Sequence, residues 1–191
     1  MITYLSSVTS KKNNNQLNNT TMKTTSSTAV YSLSYRESKT YVAATLFVIG
    51  NILLPQLCHL MPQGGLIWLP IYFFTLVAAY KYGLTAGLLT AIVSPIVNSS
   101  LFGMPAASML PIILTKSVLL ALAAAFIASK VHRVALWAVA LAVVAYQGIG
   151  MMAEWGMTGS LTAALQDIRL GWPGMLVQVF GGFAIIKLIK K

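Results

Sequence analysis

Six apolar runs, separated by proline, glycine and charged residues, constrain the fold of this chain more than any other feature of its sequence. A membrane-spanning helix needs about 20 consecutive, mostly apolar residues, and four of the runs reach that length. Hydrophobic residues make up 57% of the 191 residues and charged residues only 8%, which is more apolar surface than a soluble domain of this size can hide. The runs cover residues 40–58, 64–80, 83–98, 108–129, 134–154 and 169–189. The sequence therefore predicts an all-α integral membrane protein, with a compact bundle of six transmembrane helices in residues 39–191.

The second and third runs are the shortest, and two interpretations of them are open. They form either one long run with a tight turn or two short or tilted helices. Between them, Tyr80-Lys81-Tyr82-Gly83 combines an interfacial aromatic pair, a cation and a helix breaker, which suits a turn at the membrane surface. We favour two helices, and this gives the total of six.

Positive charges predict the orientation of the bundle, because cytoplasmic segments of membrane proteins are enriched in Lys and Arg. With the N-terminus inside, all Lys and Arg residues except Lys116 and Arg169 fall in cytoplasmic segments. The prediction is a multi-pass protein of the cytoplasmic (inner) membrane with both termini in the cytoplasm. The cytoplasmic set is Lys11, Lys12, Lys23, Arg36, Lys39, Lys81, Lys130, Arg133, Lys187, Lys190 and Lys191.

Residues 1–38 differ from everything after them, since they are rich in Asn, Ser, Thr and Lys. A segment of this composition cannot bury enough apolar surface to offset its ordering entropy. We interpret it as a disordered polar tail, which lacks the apolar core of a signal peptide. A regulatory or targeting arm is the alternative, and Met22 offers a second translation start.

Lys116 is the clearest ionisable residue inside a run, eight residues into the fourth. Such a group costs from about 2.5 to more than 10 kcal/mol in a bilayer, so its retention indicates a role. Lys116 is predicted either to bind an anionic ligand group or to pair internally with Glu154 or a helix C-terminus. Glu154 could receive a donor or a cation. Asp167 and Arg169 begin the sixth run and are interpreted as a solvated pair.

Four further residues join Lys116 and Glu154 in the candidate substrate site. Gln147 shares a helix face with Glu154, because seven residues separate them. Asn98 can cap a helix end or lie in a wet loop, and the amide of Gln178 can bond across helices. Trp155 is either a ring that stacks on a ligand or an interfacial anchor, and the anchor is favoured. The polar members lie in the outer half of the predicted bundle, which indicates a pocket open to the outside rather than a channel through its full depth.

Other chemistries find little support in the sequence. The single cysteine, Cys58, excludes a disulfide framework and a cysteine-rich metal site, and the adjacent His59 does not by itself make a nucleophile and base pair. No His or carboxylate cluster has metal-ligand spacing, and no Gly-rich phosphate loop follows a strand. Gly181-Gly182 is interpreted as a site of close helix packing. We predict no enzyme activity, no metal, no cofactor and no nucleic-acid partner.

Two short motifs stand between residues 62 and 91. Leu69-Pro70-Ile71 lies within the second run, and Gly83-x-x-x-Gly87 begins the third. Together with the chain length, the six helices and the cytoplasmic termini, these motifs resemble the substrate-binding S components of energy-coupling factor (ECF) transporters, over residues 40–191.

The resemblance implies that the chain captures a vitamin or related micronutrient from outside and has no ATPase of its own. Its site would lie near the outer ends of helices four to six, under the first and third outer loops. The subunit would join a transmembrane T subunit and two cytoplasmic ATPases, and then topple to present its site to the cytoplasm.

The expected docking surface for the T subunit departs from the family pattern. An Ala-x-x-x-Ala motif is common in the first helix of S components, but Phe47 and Val48 stand at that spacing after the alanines here. Because close helix approach needs small residues, docking is expected to use a different set. That set is Ala43, Ala44, Gly83 and Gly87.

A second hypothesis belongs to another class of protein: a small polytopic membrane enzyme acting on lipid, or an envelope scaffold without a vitamin ligand. Within the importer hypothesis, biotin, lipoate, pantothenate, folate and thiamine-like molecules all stay open as the ligand. A dedicated and a shared energising module are equally compatible with the sequence.

Overall fold

The computed structural model describes residues 36–189, and every regular element in that range is helical. The all-helical class is confirmed for these residues, and five helical segments are long and apolar enough to cross a membrane, which supports a membrane protein. The predicted polar tail lies outside the described residues, apart from its last three positions. The helices are α1 Ser38–Cys58, α2 Gly64–Trp68, α3 Phe73–Tyr82, α4 Leu84–Phe102, α5 Leu110–Val131, α6 Leu136–Thr158, α7 Leu161–Ala164 and α8 Gln166–Leu188, with a 3₁₀ turn at Pro70–Tyr72.

The second apolar run is broken rather than continuous. It consists of α2, the 3₁₀ turn and α3. The break falls at Leu69, whose φ of 46° lies in the left-handed region that bulky residues rarely adopt. Pro70 follows, and proline disfavours the helical conformation in the residue before it. Hydropathy predicts a helix over this run, but the Leu69-Pro70 sequence interrupts it.

Two amide side chains satisfy backbone groups at this break. The N–H of Phe74 donates to Oδ1 of Asn51 on α1 at 3.1 Å. On the other side, Nε2 of Gln178 on α8 donates to the carbonyl of Leu69 at 3.4 Å. In hydrocarbon, unsatisfied backbone groups cost several kcal/mol each, so these two contacts make a broken helix tolerable inside the bundle.

The helix after the break, α3, is the centre of the core. Leu76, Val77, Ala78, Ala79 and Tyr80 are all fully buried. Two neighbouring helices approach it through glycine. A Cβ on Gly87 of α4 would lie 2.7 Å from the Cα of Ala79, and one on Gly182 of α8 would lie 3.1 Å from the Leu76 side chain. The predicted close packing at Gly181-Gly182 is confirmed.

Contacts between α1 and α4 show that these helices run parallel. Asn51 donates to the hydroxyl of Ser94 at 3.4 Å, and one turn further along both helices Gln56 donates to Asn98 at 3.3 Å. Because the residue numbers of the paired positions increase together along both helices, α1 and α4 point in the same direction. The chain between them must therefore return along the bundle. We call the end at which α1 finishes the Cys58 end, and the opposite end the Lys130 end.

The second run makes that return. Near its start, Leu69 packs against Gly171 in the first turns of α8. Near its finish, the hydroxyl of Tyr80 donates to the carbonyl of Arg133 at 3.0 Å, just beyond the end of α5. The broken run therefore extends along the bundle from the Cys58 end toward the Lys130 end, although its helical pieces are short.

Candidate functional site

Lys116 lies at the meeting point of three helices near the Cys58 end. It projects from α5 and is only 2% exposed. Its Nζ donates to Oε2 of Glu154 on α6 and, at 2.7 Å, to Oδ2 of Asp167 on α8. The sequence contains only three carboxylate side chains, so two of the three converge on one buried ammonium. We call Lys116, Glu154 and Asp167 the charged cluster.

A glycine provides the space for the lysine. A Cβ on Gly150 of α6 would lie 2.9 Å from Cγ of Lys116 and 3.4 Å from Cε. The aliphatic stem of Lys116 therefore lies directly on the backbone of α6, one turn before Glu154. Gly150 was not among the predicted site residues. The sequence signal that could have identified Gly150 is its position one helical turn before Glu154.

In the structure Lys116 forms the internal pair with Glu154 that one of its two interpretations expects, and its binding of an anionic ligand group stays a prediction. Asp167 extends that pair, so the interpretation of Asp167 as a solvated partner of Arg169 is wrong. The Asp167 side chain is 15% exposed and bonds to a residue 51 positions away. Its sequence neighbour Arg169 suggested a local pair that does not form. An anionic ligand at Lys116 would have to displace one of two carboxylates.

The other predicted substrate residues are divided between the interior and the surface. Gln147 is 4% exposed, and its Oε1 has no hydrogen-bond partner among the described residues. Gln178 accepts from the hydroxyl of Tyr146 at 3.1 Å while it donates to Leu69. Trp155 is 52% exposed, as an interfacial anchor would be.

Asn98 belongs to a polar network around Asn51 rather than to the charged cluster. Its Nδ2 donates to the Asn51 carbonyl at 2.9 Å, while the Asn51 amide donates to the hydroxyl of Thr75 at 3.0 Å. The hydroxyls of Thr75 and Ser117 lie 3.5 Å apart, which links α3 to α5. Sequence reasoning missed Asn51, Thr75 and Ser117, although each is a polar residue within an apolar run.

A cavity of about 650 Å³ opens at the Cys58 end. Its walls come from the last turn of α1, the segment after it, the start of the 3₁₀ turn, the loop before α5 and the first turn of α5. Most of the lining is apolar. The polar exceptions are Gln63 and His59, whose Nδ1 lies 2.6 Å from the Pro55 carbonyl.

None of the six predicted substrate residues lines this cavity. The cavity and the charged cluster are nevertheless neighbours. Ile113 lines the cavity and precedes Lys116 by three residues on α5, so the two side chains occupy adjacent positions on one helix surface. The Cys58 end thus combines an apolar cavity with a charged cluster about one helical turn deeper.

The four predicted docking residues make contacts within the chain. Ala43 and Ala44 are 8% and 4% exposed, and Gly87 packs against α3. Gly83 precedes α4 with a φ of 93°, in the region that favours glycine. Their role in docking stays a prediction.

Within residues 36–189, no three His, Cys, Asp or Glu side chains are grouped closely enough to hold a metal ion. No protein-family model, curated protein or solved structure matches this chain. Its function is therefore inferred from its own sequence and geometry.

Proposed function

We propose that this chain is the membrane-embedded substrate-capture subunit of an ECF-type importer. It takes a vitamin-sized molecule from outside and delivers it to the cytoplasm together with a transmembrane T subunit and two ATPase subunits. It crosses the cytoplasmic membrane six times with both termini inside, and it catalyses no reaction itself.

The cavity at the Cys58 end is the observation that carries the proposal. Its volume of about 650 Å³ falls within the range of roughly 300–1,000 Å³ that small-molecule sites occupy. With the N-terminus inside, this end faces outside, and Lys130 and Arg133 at the opposite end support that orientation. A largely apolar cavity beside a charged cluster suits a molecule with an apolar body and a charged group.

The path of the second run supports six crossings. Because α1 and α4 are parallel, the intervening chain has to traverse the bundle, and residues 64–82 do so from Leu69 to Tyr80. Backbone breaks at membrane depth are tolerated where protein side chains cover them, as Asn51 and Gln178 do here.

Native mass spectrometry of the detergent-purified protein tests capture directly. We expect a vitamin-sized mass at one copy per chain. The variant Ala106→Trp places a large ring in the cavity wall, and Ala107→Trp makes the same change at the next residue, which does not line the cavity. The retained mass should be lost from Ala106→Trp and kept by Ala107→Trp.

Two results would count against the proposal. A monodisperse wild-type protein that carries no small molecule, even after growth in rich medium, would favour an envelope scaffold or a lipid-acting enzyme instead. Equal retention in Ala106→Trp and Ala107→Trp would separate capture from this cavity.

A further inference from the structure

The charged cluster carries an excess of negative charge. One ammonium faces two carboxylates, so the three side chains sum to −1 when all are ionised. The remaining cation nearby in sequence, Arg169, is exposed and forms no ion pair among the described residues. An uncompensated charge at the edge of a low-dielectric bundle is costly, and a further positive charge would relieve it.

Acceptor atoms around the cluster also outnumber the donors. Lys116 uses one oxygen of each carboxylate, which leaves Oε1 of Glu154 and Oδ1 of Asp167 without a donor among residues 36–189. The buried Oε1 of Gln147 has no partner either. Gln147 lies on the same face of α6 as Gly150 and Glu154, because offsets of three and seven residues return to one side of a helix.

The accessible side of the cluster is the carboxylate side. The Glu154 and Asp167 side chains are 11% and 15% exposed, whereas that of Lys116 is 3% exposed. The cavity wall at Ile113 lies one turn away along α5, or about 5 Å. A molecule held in the cavity would reach the carboxylates by extending a charged group past Ile113, and it would meet their exposed side without first displacing the lysine.

We propose that Glu154 and Asp167 receive a protonated amine of the captured molecule, which makes the substrate an organic cation rather than the anion that Lys116 alone would suggest. An ammonium group supplies both the missing positive charge and N–H donors for the free oxygens. This inference rests on the proposed capture function, because it names the charge of the molecule that is captured.

Methylammonium is the probe for this site, and thermal unfolding followed by tryptophan fluorescence is the measurement. Methylammonium chloride replaces sodium chloride at constant ionic strength, so the response reports preference for an ammonium over sodium. We expect a saturating rise in Tm of about 2 °C in the wild-type protein, and at least a fivefold weaker response in Asp167→Asn.

Two further variants make the result interpretable. Glu37→Gln removes the remaining carboxylate of the chain, which is exposed at the start of α1, and should keep the wild-type response. Lys116→Ala vacates the ammonium position and should respond more strongly than wild type, which establishes that the probe reaches the carboxylates. A wild-type Tm that does not change, or an equal rise in Asp167→Asn, would overturn the inference.

The inference and the proposed function fail separately. If methylammonium has no effect while a neutral or anionic molecule co-purifies in the cavity, capture stands and the charge assignment falls. If methylammonium stabilises the protein through Asp167 but no molecule is captured, the ammonium site stands and the importer proposal falls.

Discussion

At the residue scale, the charged cluster depends on the absence of a side chain at Gly150. Lys116 can lie along α6 and reach Glu154 because Gly150 has no Cβ. The same helix contains Gly148, around which a Cβ would meet nothing within 4 Å. Alanine substitutions at Gly148 and at Gly150 therefore separate the effect of helix propensity from the effect of contact with Lys116.

Gly150→Ala should destabilise the protein by about 1–3 kcal/mol, because the new methyl group overlaps Cγ of Lys116 and the lysine must shift from both carboxylates. Thermal unfolding in detergent measures the change as a lower Tm. The methylammonium response should change as well, since the cluster is rearranged.

Gly148→Ala is the matched control for that change. It should leave the protein equally stable or stabilise it by up to about 1 kcal/mol, because alanine favours a helix over glycine. If both variants lowered the Tm equally, the close contact between Gly150 and Lys116 would be contradicted.

At the element scale, the second run shows how a membrane protein supports a broken helix. Its interruption leaves backbone groups without helical partners in the interior of the bundle. The Asn51 side chain accepts from the N–H of Phe74, which follows the break, and the Gln178 side chain donates to the carbonyl of Leu69. Each amide comes from a different helix, so the break also ties α1 and α8 to the central α3.

Replacing two buried glutamines by leucine tests this account. Gln178→Leu removes the donor to Leu69 and leaves the Tyr146 hydroxyl without its acceptor, so we expect a loss of about 1–3 kcal/mol. Gln147→Leu removes an amide oxygen that has no hydrogen-bond partner among residues 36–189, and it should be neutral or stabilising in the absence of ligand. Denaturation of the two variants side by side gives the comparison, and a larger loss in Gln147→Leu would contradict it.

The long helices were predicted well from the sequence, because the length of an apolar run indicates whether a helix can span a bilayer. The first run, 40–58, corresponds to α1 Ser38–Cys58, and the fourth, 108–129, to α5 Leu110–Val131. The break at Leu69 was not predicted, because hydropathy reports the polarity of side chains and not whether the helical backbone is continuous. Its proline was visible, but a proline can begin a helix as readily as interrupt one.

The site was predictable only in part, for a similar reason. The pair of Lys116 with Glu154 was one of two interpretations, because a buried cation needs a partner. Asp167 was assigned to its near neighbour Arg169, and only the packing of α8 brings it to Lys116. The cavity carries no sequence signal, since its walls are apolar side chains and loops without characteristic spacing.

At the scale of the whole molecule, the number of membrane crossings decides on which side of the membrane each loop lies. Five helices are long enough by themselves, and the sixth crossing depends on the broken run. Leu60 follows α1 and is 82% exposed, whereas Leu84 begins α4 and is 42% exposed. These two positions bracket the second run and report on its path.

Six crossings predict opposite accessibility at the two positions. With Cys58 replaced by serine, Leu60→Cys should react with a membrane-impermeant maleimide on intact cells, and Leu84→Cys should react only after permeabilisation. Ser129→Cys, near the end of α5, is the control for the cytoplasmic side. Labelling of Leu60→Cys and Leu84→Cys from the same side would show that the second run does not cross.

The brace from Gln178 to Leu69 has a consequence for biosynthesis. The chain emerges from the ribosome N-terminus first, so Asn51 is available as soon as the second run is made. Gln178 follows Leu69 by 109 residues, and until it is synthesised the carbonyl side of the break lacks its side-chain donor. Because an unsatisfied backbone group is costly in hydrocarbon, we expect the second run to be unstable in lipid until α8 packs against it. We therefore expect chains truncated before Gln178 to leave the second run incomplete and to be degraded faster than chains that include α8.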